Sequence, residues 1–419
     1  DEWYVLDLAV SDEPAPEDRR CHGVVGYDIQ SGSVEGFRAR DGVVLATGGP
    51  GQVFDHTTNA VANTGDGVAM AYRAGVPLED MEFIQFHPTT LPSTGVLITE
   101  GVRGEGGILY NSEGERFMYE HGYANNDGEL ASRDVVSRAE LTEVNEGLGI
   151  EDEYVHLDMR HLGEERITDR LENILHLAED FEGADGLDEP MPVKPGQHYA
   201  MGGLETDENG ETCVGGLYAA GGVIAGALAE DDKLGKSVAA EIETGQRGEF
   251  ERATVDSPVA LGDPGSFGDA VADGGAVAAG GSADADSVLD STVEQARQRI
   301  DTLLHSDGIH HSEVRADVQE TMTAKVNVFR EENGLKEALQ EIRQAREEYE
   351  NVAVSDPSQT FNTDLLQTIE TRNLLDLAEA ITVGALARDE FRGAHWRAEH
   401  QERKDDEWLK HTLLSWNDG

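Results

Sequence analysis

The chain has 419 residues, with 84 Asp and Glu against 32 Lys and Arg, a formal net charge of −52. That balance excludes a nucleic-acid footprint, which needs a basic patch to displace phosphate counterions, and argues against a bare anionic membrane surface as partner. The length admits two or three domains, and with 38% hydrophobic residues the charge describes an acidic shell on a folded core rather than disorder.

In chain order, the sequence opens on Asp1 and Glu2 with no signal peptide, and a strand-like run begins at once at Trp3, so it is expected to start in mid-domain. Residues 1–50 read as a β-meander leading into a buried strand, Val43-Val-Leu-Ala46, that ends in the turn Thr47-Gly48-Gly49. Residues 65–75 predict a helix stopped by Gly75 and Pro77. From 82 to 198 the texture is mixed α/β, with a hairpin expected around Asn111-Ser-Glu-Gly114 and a helix from about Ser132. Residues 216–245 return to a strand–turn–helix pattern, and 253–286, rich in Gly, Ala, Asp and Ser, read as a linker or insertion. Helices are predicted over 287–304, 312–330, 335–350 and 363–387, a bundle pattern. The tail from Phe391 is rich in basic residues and closes on a Trp-Leu-Lys-His-Thr-Leu-Leu-Ser-Trp segment with the look of an edge strand or docking arm. Cys21 and Cys213 have no CxxC spacing, which predicts two reduced, packed thiols and no cysteine-ligated cluster. No apolar run approaches the roughly 20 residues of a membrane span.

The densest polar constellation lies between 85 and 138. Gln85-Phe-His-Pro-Thr89, Leu97-Ile-Thr-Glu-Gly-Val-Arg-Gly-Glu-Gly-Gly107, Gly114-Glu-Arg-Phe-Met118 and Ala131-Ser-Arg-Asp-Val-Val-Ser-Arg138 set His, Thr, Glu and Arg beside glycines. Glycines around Arg103 suit backbone packed tightly about a guanidinium in a closed site. Read alone, Arg133 could equally be a helix-start ion pair with Asp134, and His198 a satisfied structural histidine. The glycine turn at 48–49 is likewise a common way to end a strand. Histidines outside these motifs are expected to face solvent.

The blocks VVLATGG, TTNAVANTGDGVAMAYRAGVPLEDMEFIQFHPT, LITEGVRGEGG, NSEGERFM, LASRDVVSR, HYAMGG, GLYAAG, FNTDLLQTIETRNLL and RGAHWRAEHQERKDDEWLKHTL occur in that order across about 1–222 and 312–416. Together they resemble the flavoprotein subunit of succinate dehydrogenase and fumarate reductase. The resemblance implies an α/β plus all-α architecture. A partial, discontinuous FAD-binding domain would span 1–81 and 199–246, and a capping domain with the substrate site 82–198. A linker or insertion at 247–286, a helical domain at 287–390 and a tail at 391–419 would follow.

It also implies succinate oxidation to fumarate with FAD as hydride acceptor, and no metal. By motif, Arg133 is the proton shuttle, Glu100 and Arg103 its relay, and His87, Thr99 and His198 the holders of the two substrate carboxylates. Gly48, Gly49 and Asp66 match cofactor contacts. An arginine as base is unusual, because its free pKa exceeds about 12, and needs burial and neighbouring charge to make a neutral form accessible. Implied partners are an iron–sulfur subunit and membrane-anchor quinone-binding subunits, with peripheral attachment at the cytoplasmic face. Fumarate reductase and L-aspartate oxidase are the related alternatives, and a non-catalytic assembly scaffold is the reading from another class.

The sequence departs from the pattern in three places. No strand–GxGxxG–helix element precedes Trp3, so weak FAD binding is expected of residues 1–419 alone. Gly222 stands where the family has a cofactor-contacting Glu after GLYAAG. The family's second substrate arginine has no counterpart in 223–237, where Lys233 is the nearest cation and lacks the bidentate fork of a guanidinium. Of the 32 basic residues only seven are Lys, and the acidic shell predicts a salt-adapted protein, screened by the medium.

Overall fold

The computed structural model describes residues 2–207, 209–224, 253–256 and 282–416. The first fifty residues form the expected meander: β1 (Trp3–Val10), β2 (Cys21–Asp28) and β3 (Val34–Arg38) make an antiparallel sheet. Its inner face carries Leu6, Val25, Tyr27 and Val34, and a helix (α7, Ser282–Leu304) covers it with Leu289, Val293, Ala296 and Ile300. A Cβ at Gly36 would stand 2.7 Å from Leu289 Cγ, so the helix lies directly on β3. The helix thus begins inside the stretch read as linker, and residues 253–256 of that stretch form a strand, β12.

β4 (Val43–Leu45) leaves the meander and pairs in parallel with β11 (Leu217–Ala219). The sequence predicts a buried strand here, but Val44 is 63% exposed, because β11 is its only ladder partner among the described residues. After β4, α1 (Asp66–Arg73) buries Val68, Ala69, Met70, Ala71 and Tyr72 in the main core, where they join Ala378 and Ile381 of the long helix α10 (Thr363–Ala387). Asn362 sets the start of α10, its Oδ1 accepting from Leu365 N at 2.8 Å.

The middle of the chain is a four-stranded sheet in the order β6 (Ile84–Thr90), β9 (Met191–Ala200), β8 (Val155–Asp158), β7 (Ile108–Tyr110). The hairpin expected at 111–114 does not form, since β7 pairs with β8 instead. Asn111 folds the turn locally, its Oδ1 accepting from the backbone N–H of Glu113 and Glu115. Helix α4 (Arg133–Glu143) follows Ser132 as predicted and packs Val136 and Ala139 into the core of this unit with Leu109, Val155, Leu157 and Val193.

Helices α8 (His311–Lys325), α9 (Glu332–Tyr349) and α10 pack together through Val318, Met322, Leu335, Ala338, Ile342, Leu374 and Leu377. The tail ends in β15 (Thr412–Ser415), which is an interior strand and not an edge: it lies between β5 (Leu78–Glu79) and β12. Its preceding arginines turn inward, Arg388, Arg392 and Arg397 being buried among carboxylates and backbone carbonyls. Two histidines expected at the surface are buried too, His311 and His395. His395 is satisfied internally, its Nε2 3.1 Å from Arg388 O and its Nδ1 3.0 Å from Arg330 Nη1. Both cysteines are free; Cys21 is buried, with its thiol pushed up to about 11 by desolvation, whereas Cys213 lies at the surface and not in the core.

Candidate active site

Three elements aim side chains at one place. β6 contributes Gln85 and His87, β9 contributes His198, and the first residue of α4 is Arg133. The β6–β9 pairing sets Gln85 opposite Tyr199 and His87 opposite Gly196, which brings the two imidazoles to a centroid separation of 5.3 Å. His87 is 1% exposed, and its Nδ1 accepts from Thr89 N at 3.2 Å. His198 Nδ1 lies 2.7 Å from Thr58 Oγ1. Burial, reinforced by the positive charge of Arg133, holds His87 well below the usual imidazole range and pushes His198 down to about 4. Both rings are therefore neutral hydrogen-bonding groups at neutral pH.

Arg133 does not pair with Asp134. That carboxylate accepts from Arg138 Nη2 at 2.7 Å, one turn along α4. Arg133 instead donates through Nη1 to Gln85 Oε1 at 2.9 Å and through Nε to Glu100 Oε2 at 3.3 Å. Glu100 precedes the short helix α2 (Gly101–Gly104), and its side chain is 37% exposed, so a path runs from Arg133 through Glu100 to solvent.

Arg103, on the same helical turn, is deeply buried and donates from Nη1 to Glu129 O at 2.5 Å, while its Nε and Nη2 make no hydrogen bond. Thr99 sits at the rim and its Oγ1 accepts from Gly101 N at 3.3 Å. Lys233 lies outside the described residues. Reading by motif missed Gln85 and Thr58, whose side chains position Arg133 and His198, and also missed Glu140. This residue stands two turns after Arg133 on α4, is fully buried, and has neither carboxylate oxygen hydrogen-bonded. Burial raises its pKa well above the ordinary carboxylate range against the pull of the Arg103 charge.

A second arrangement suits a dinucleotide. The parallel strands β4 and β11 each run into a glycine pair, Gly48-Gly49 and Gly221-Gly222, at their carboxyl ends, where α/β folds place ligands. Gly48 and Gly221 have φ of +80° and +71°, a conformation that favours glycine. A Cβ on Gly49 would stand 3.3 Å from Gly222 O, so the two turns pass each other in contact, and a Cβ at 222 would lie in ordinary contact with Gly49 N at 3.4 Å. Asp66 begins α1 beside these turns, its Oδ1 accepting from Asn373 Nδ2 at 2.7 Å, and the nearby buried Thr64 Oγ1 has no hydrogen-bond partner. Glycine backbone N–H groups, an orphaned hydroxyl and an acid at a helix start fit the phosphate and ribose of FAD.

Comparison with known proteins shows the family. The FAD binding domain family model matches residues 1–234, and the fumarate reductase flavoprotein C-terminal model matches 315–419. The chain is 39% identical to the fumarate reductase flavoprotein subunit of Haemophilus influenzae, over 100% of this chain and 67% of the relative. It is also 39% identical to the succinate dehydrogenase flavoprotein subunit of Rickettsia conorii, over 99% of this chain and 66% of the relative. A solved structure of Escherichia coli quinol fumarate reductase superposes with a TM-score of 0.80 at 33% identity, covering 99% of this chain and 68% of that one. The chain thus spans about two thirds of the length of these relatives. It belongs to the succinate dehydrogenase/fumarate reductase flavoprotein subunit family, whose cofactor is FAD.

Proposed function

We propose that the chain carries the substrate site of a succinate:quinone oxidoreductase flavoprotein and that the protein oxidises succinate to fumarate. The observation that supports this reading best is the opposition of two neutral histidines, His87 and His198, to an arginine held by a neutral Gln85 and a half-exposed Glu100. A four-carbon dicarboxylate needs two separate clamps and a base between them. His198 and Thr58 form one clamp, and His87 with the hydroxyl of Thr99 forms the other. Bound FAD supplies the hydride acceptor.

Arg133 gives its Nε proton to Glu100 Oε2, whose exposure lets it leave to water, and the neutral guanidine so formed takes the proton from the substrate methylene. Arg103 is buried beside Glu140 and Glu100; burial lowers the pKa of its guanidinium against the pull of those two carboxylates. Gly48, Gly49, Asp66 and Thr64 would hold the cofactor at the ends of β4 and β11.

Among the described residues no helix is long and apolar enough to cross a membrane. Attachment through an iron–sulfur subunit and quinone-binding membrane subunits completes the reading. The test is succinate-dependent dye reduction by the full-length protein beside its Arg133→Ala variant. Equal rates in the two would remove Arg133 from the mechanism, and faster fumarate reduction than succinate oxidation in the assembled complex would reverse the assigned direction.

A further inference from the structure

Away from the dicarboxylate site, three ligand-type side chains converge where α8 begins. His310 ends the short strand β13 (Ile309–His310), His311 is the first residue of α8, and Asp364 lies in the first turn of α10. His310 Nε2 is 2.8 Å and His311 Nε2 3.1 Å from the same carboxylate oxygen, Asp364 Oδ1. All three atoms lie within 4.8 Å of one another.

The surroundings fix each group in that pose. Asp364 Oδ2 accepts from Ser355 N at 2.6 Å and from Asp356 N at 3.2 Å, which leaves Oδ1 turned to the histidines. His310 Nδ1 lies 2.7 Å from Ser312 Oγ and accepts from Ser312 N at 3.3 Å, contacts that fix the ring at the start of α8 with Nε2 towards Asp364. His311 is 3% exposed, and neither of its ring nitrogens makes a hydrogen bond, although Nε2 is so near the carboxylate. Arg315, the nearby cation, is engaged elsewhere, with Gln52 Oε1 at 3.2 Å and Glu370 Oε2 at 3.6 Å. A buried imidazole aimed at a carboxylate without a hydrogen bond between them is what a cation seated among the three groups would resolve.

We propose that His310, His311 and Asp364 form a binding site for a divalent transition ion of the zinc type. Two imidazole nitrogens and one carboxylate oxygen suit zinc and its neighbours, whereas magnesium and calcium prefer all-oxygen shells. Metal–ligand bonds of about 2.0–2.2 Å in tetrahedral geometry place ligand atoms roughly 3.3–3.5 Å apart, so the observed spacings open by a few tenths of an ångström on binding. The partly exposed edge of His310 leaves the fourth position to water. The bound ion would tie the start of α8 to the start of α10, a structural role independent of catalysis at Arg133.

The experiment is a titration of the metal-stripped chain with zinc chloride alone, read by competition with a chromophoric chelator, and with cobalt chloride, read by its visible absorption. The expected result is one tight equivalent, weakened at least about tenfold in His311→Gln and in His310→Ala. Far-ultraviolet circular dichroism confirms that these variants are folded. His411→Ala, which alters the separate Glu79–Asp80–His411 group, leaves that equivalent in place. Zinc raises the Tm of the unaltered chain and not that of the double variant His310→Ala/His311→Gln. Equal zinc affinity in the unaltered chain and the double variant overturns the proposal, as does loss of the tight equivalent in His411→Ala.

Discussion

Arg133 Nη1 donates to Gln85 Oε1 at 2.9 Å, joining the first residue of α4 to the strand that carries His87. A neutral acceptor holds the guanidinium in place without the electrostatic stabilisation that a carboxylate there would give its charged form. Gln85→Glu should therefore keep the contact, favour the charged form of Arg133 and depress kcat more than KM. Gln85→Ala should release the side chain and affect both. Arg133→Lys should lose about 10²–10⁴-fold in rate, the usual contribution of a positioned acid–base group. Steady-state dye reduction by the full-length protein measures all three. An unchanged kcat in Gln85→Glu would falsify the positioning role.

Glu140 gives a stability prediction of opposite sign to the usual loss on mutating a core residue. Its carboxyl is buried, has no hydrogen bond, and ionises less readily folded than unfolded. Such a group contributes its full share of stability below its unfolded pKa, and that share is lost as pH rises toward the folded value. Glu140→Gln, nearly isosteric, should match the parent near pH 4 and become progressively more stable than it toward neutral pH. Urea midpoints at a series of pH values check this, and a constant gap between the two proteins would contradict it.

The histidine pair titrates on the acid side. His198 is neutral when folded down to about 4, yet takes a proton near pH 6.5 when unfolded. Its stabilising share is present above pH 6.5 and falls away as pH drops from there to about 4. His198→Gln should lose less stability than the parent across that window. NMR of the ring nitrogens should show both His87 and His198 neutral at pH 6, and a dicarboxylate should raise their pKa values by supplying the missing negative charge. A His198 signal already half-protonated at pH 6.5 in the free protein would refute the burial argument.

Motif order carried the family and the cofactor, because those segments meet a small molecule whose chemistry restricts residue types. Local signals also placed α4 after Ser132 and α10 from Thr363, where a cap or a clear period is written in the chain. What could not be read was tertiary. Asp134 turns to Arg138, while Arg133 meets Gln85 of β6 and Glu100, partners distant in sequence. Histidines outside the motifs read as solvent-facing because polarity predicts exposure, yet His395 is buried against Arg330, a partner far away in sequence. The Asn111 turn failed as a hairpin because a non-local strand, β8, competed for β7.

The buried charges of the tail show what that non-local pairing does for the site. Glu82, two residues before β6, has both oxygens within 2.7 Å of Thr412 Oγ1 and accepts from Arg388 Nε at 2.6 Å. Arg388 in turn meets Glu390 Oε1 at 3.0 Å and stacks over the Phe83 ring. The network therefore clamps the start of the strand bearing Gln85 and His87 to the interior strand β15. Removing one member of a buried pair leaves the other charge uncompensated and costs about 3–5 kcal/mol. Glu82→Ala should lower stability by that order, and Glu82→Gln by less, because the amide oxygen can still accept from Arg388. The double change Glu82→Gln/Arg388→Met should recover part of the loss, since it removes the stranded guanidinium as well. Denaturant midpoints for Glu82→Gln, Arg388→Met and the double variant give the coupling directly. Simple additivity of the two single effects would mean that Glu82 and Arg388 do not act as a pair.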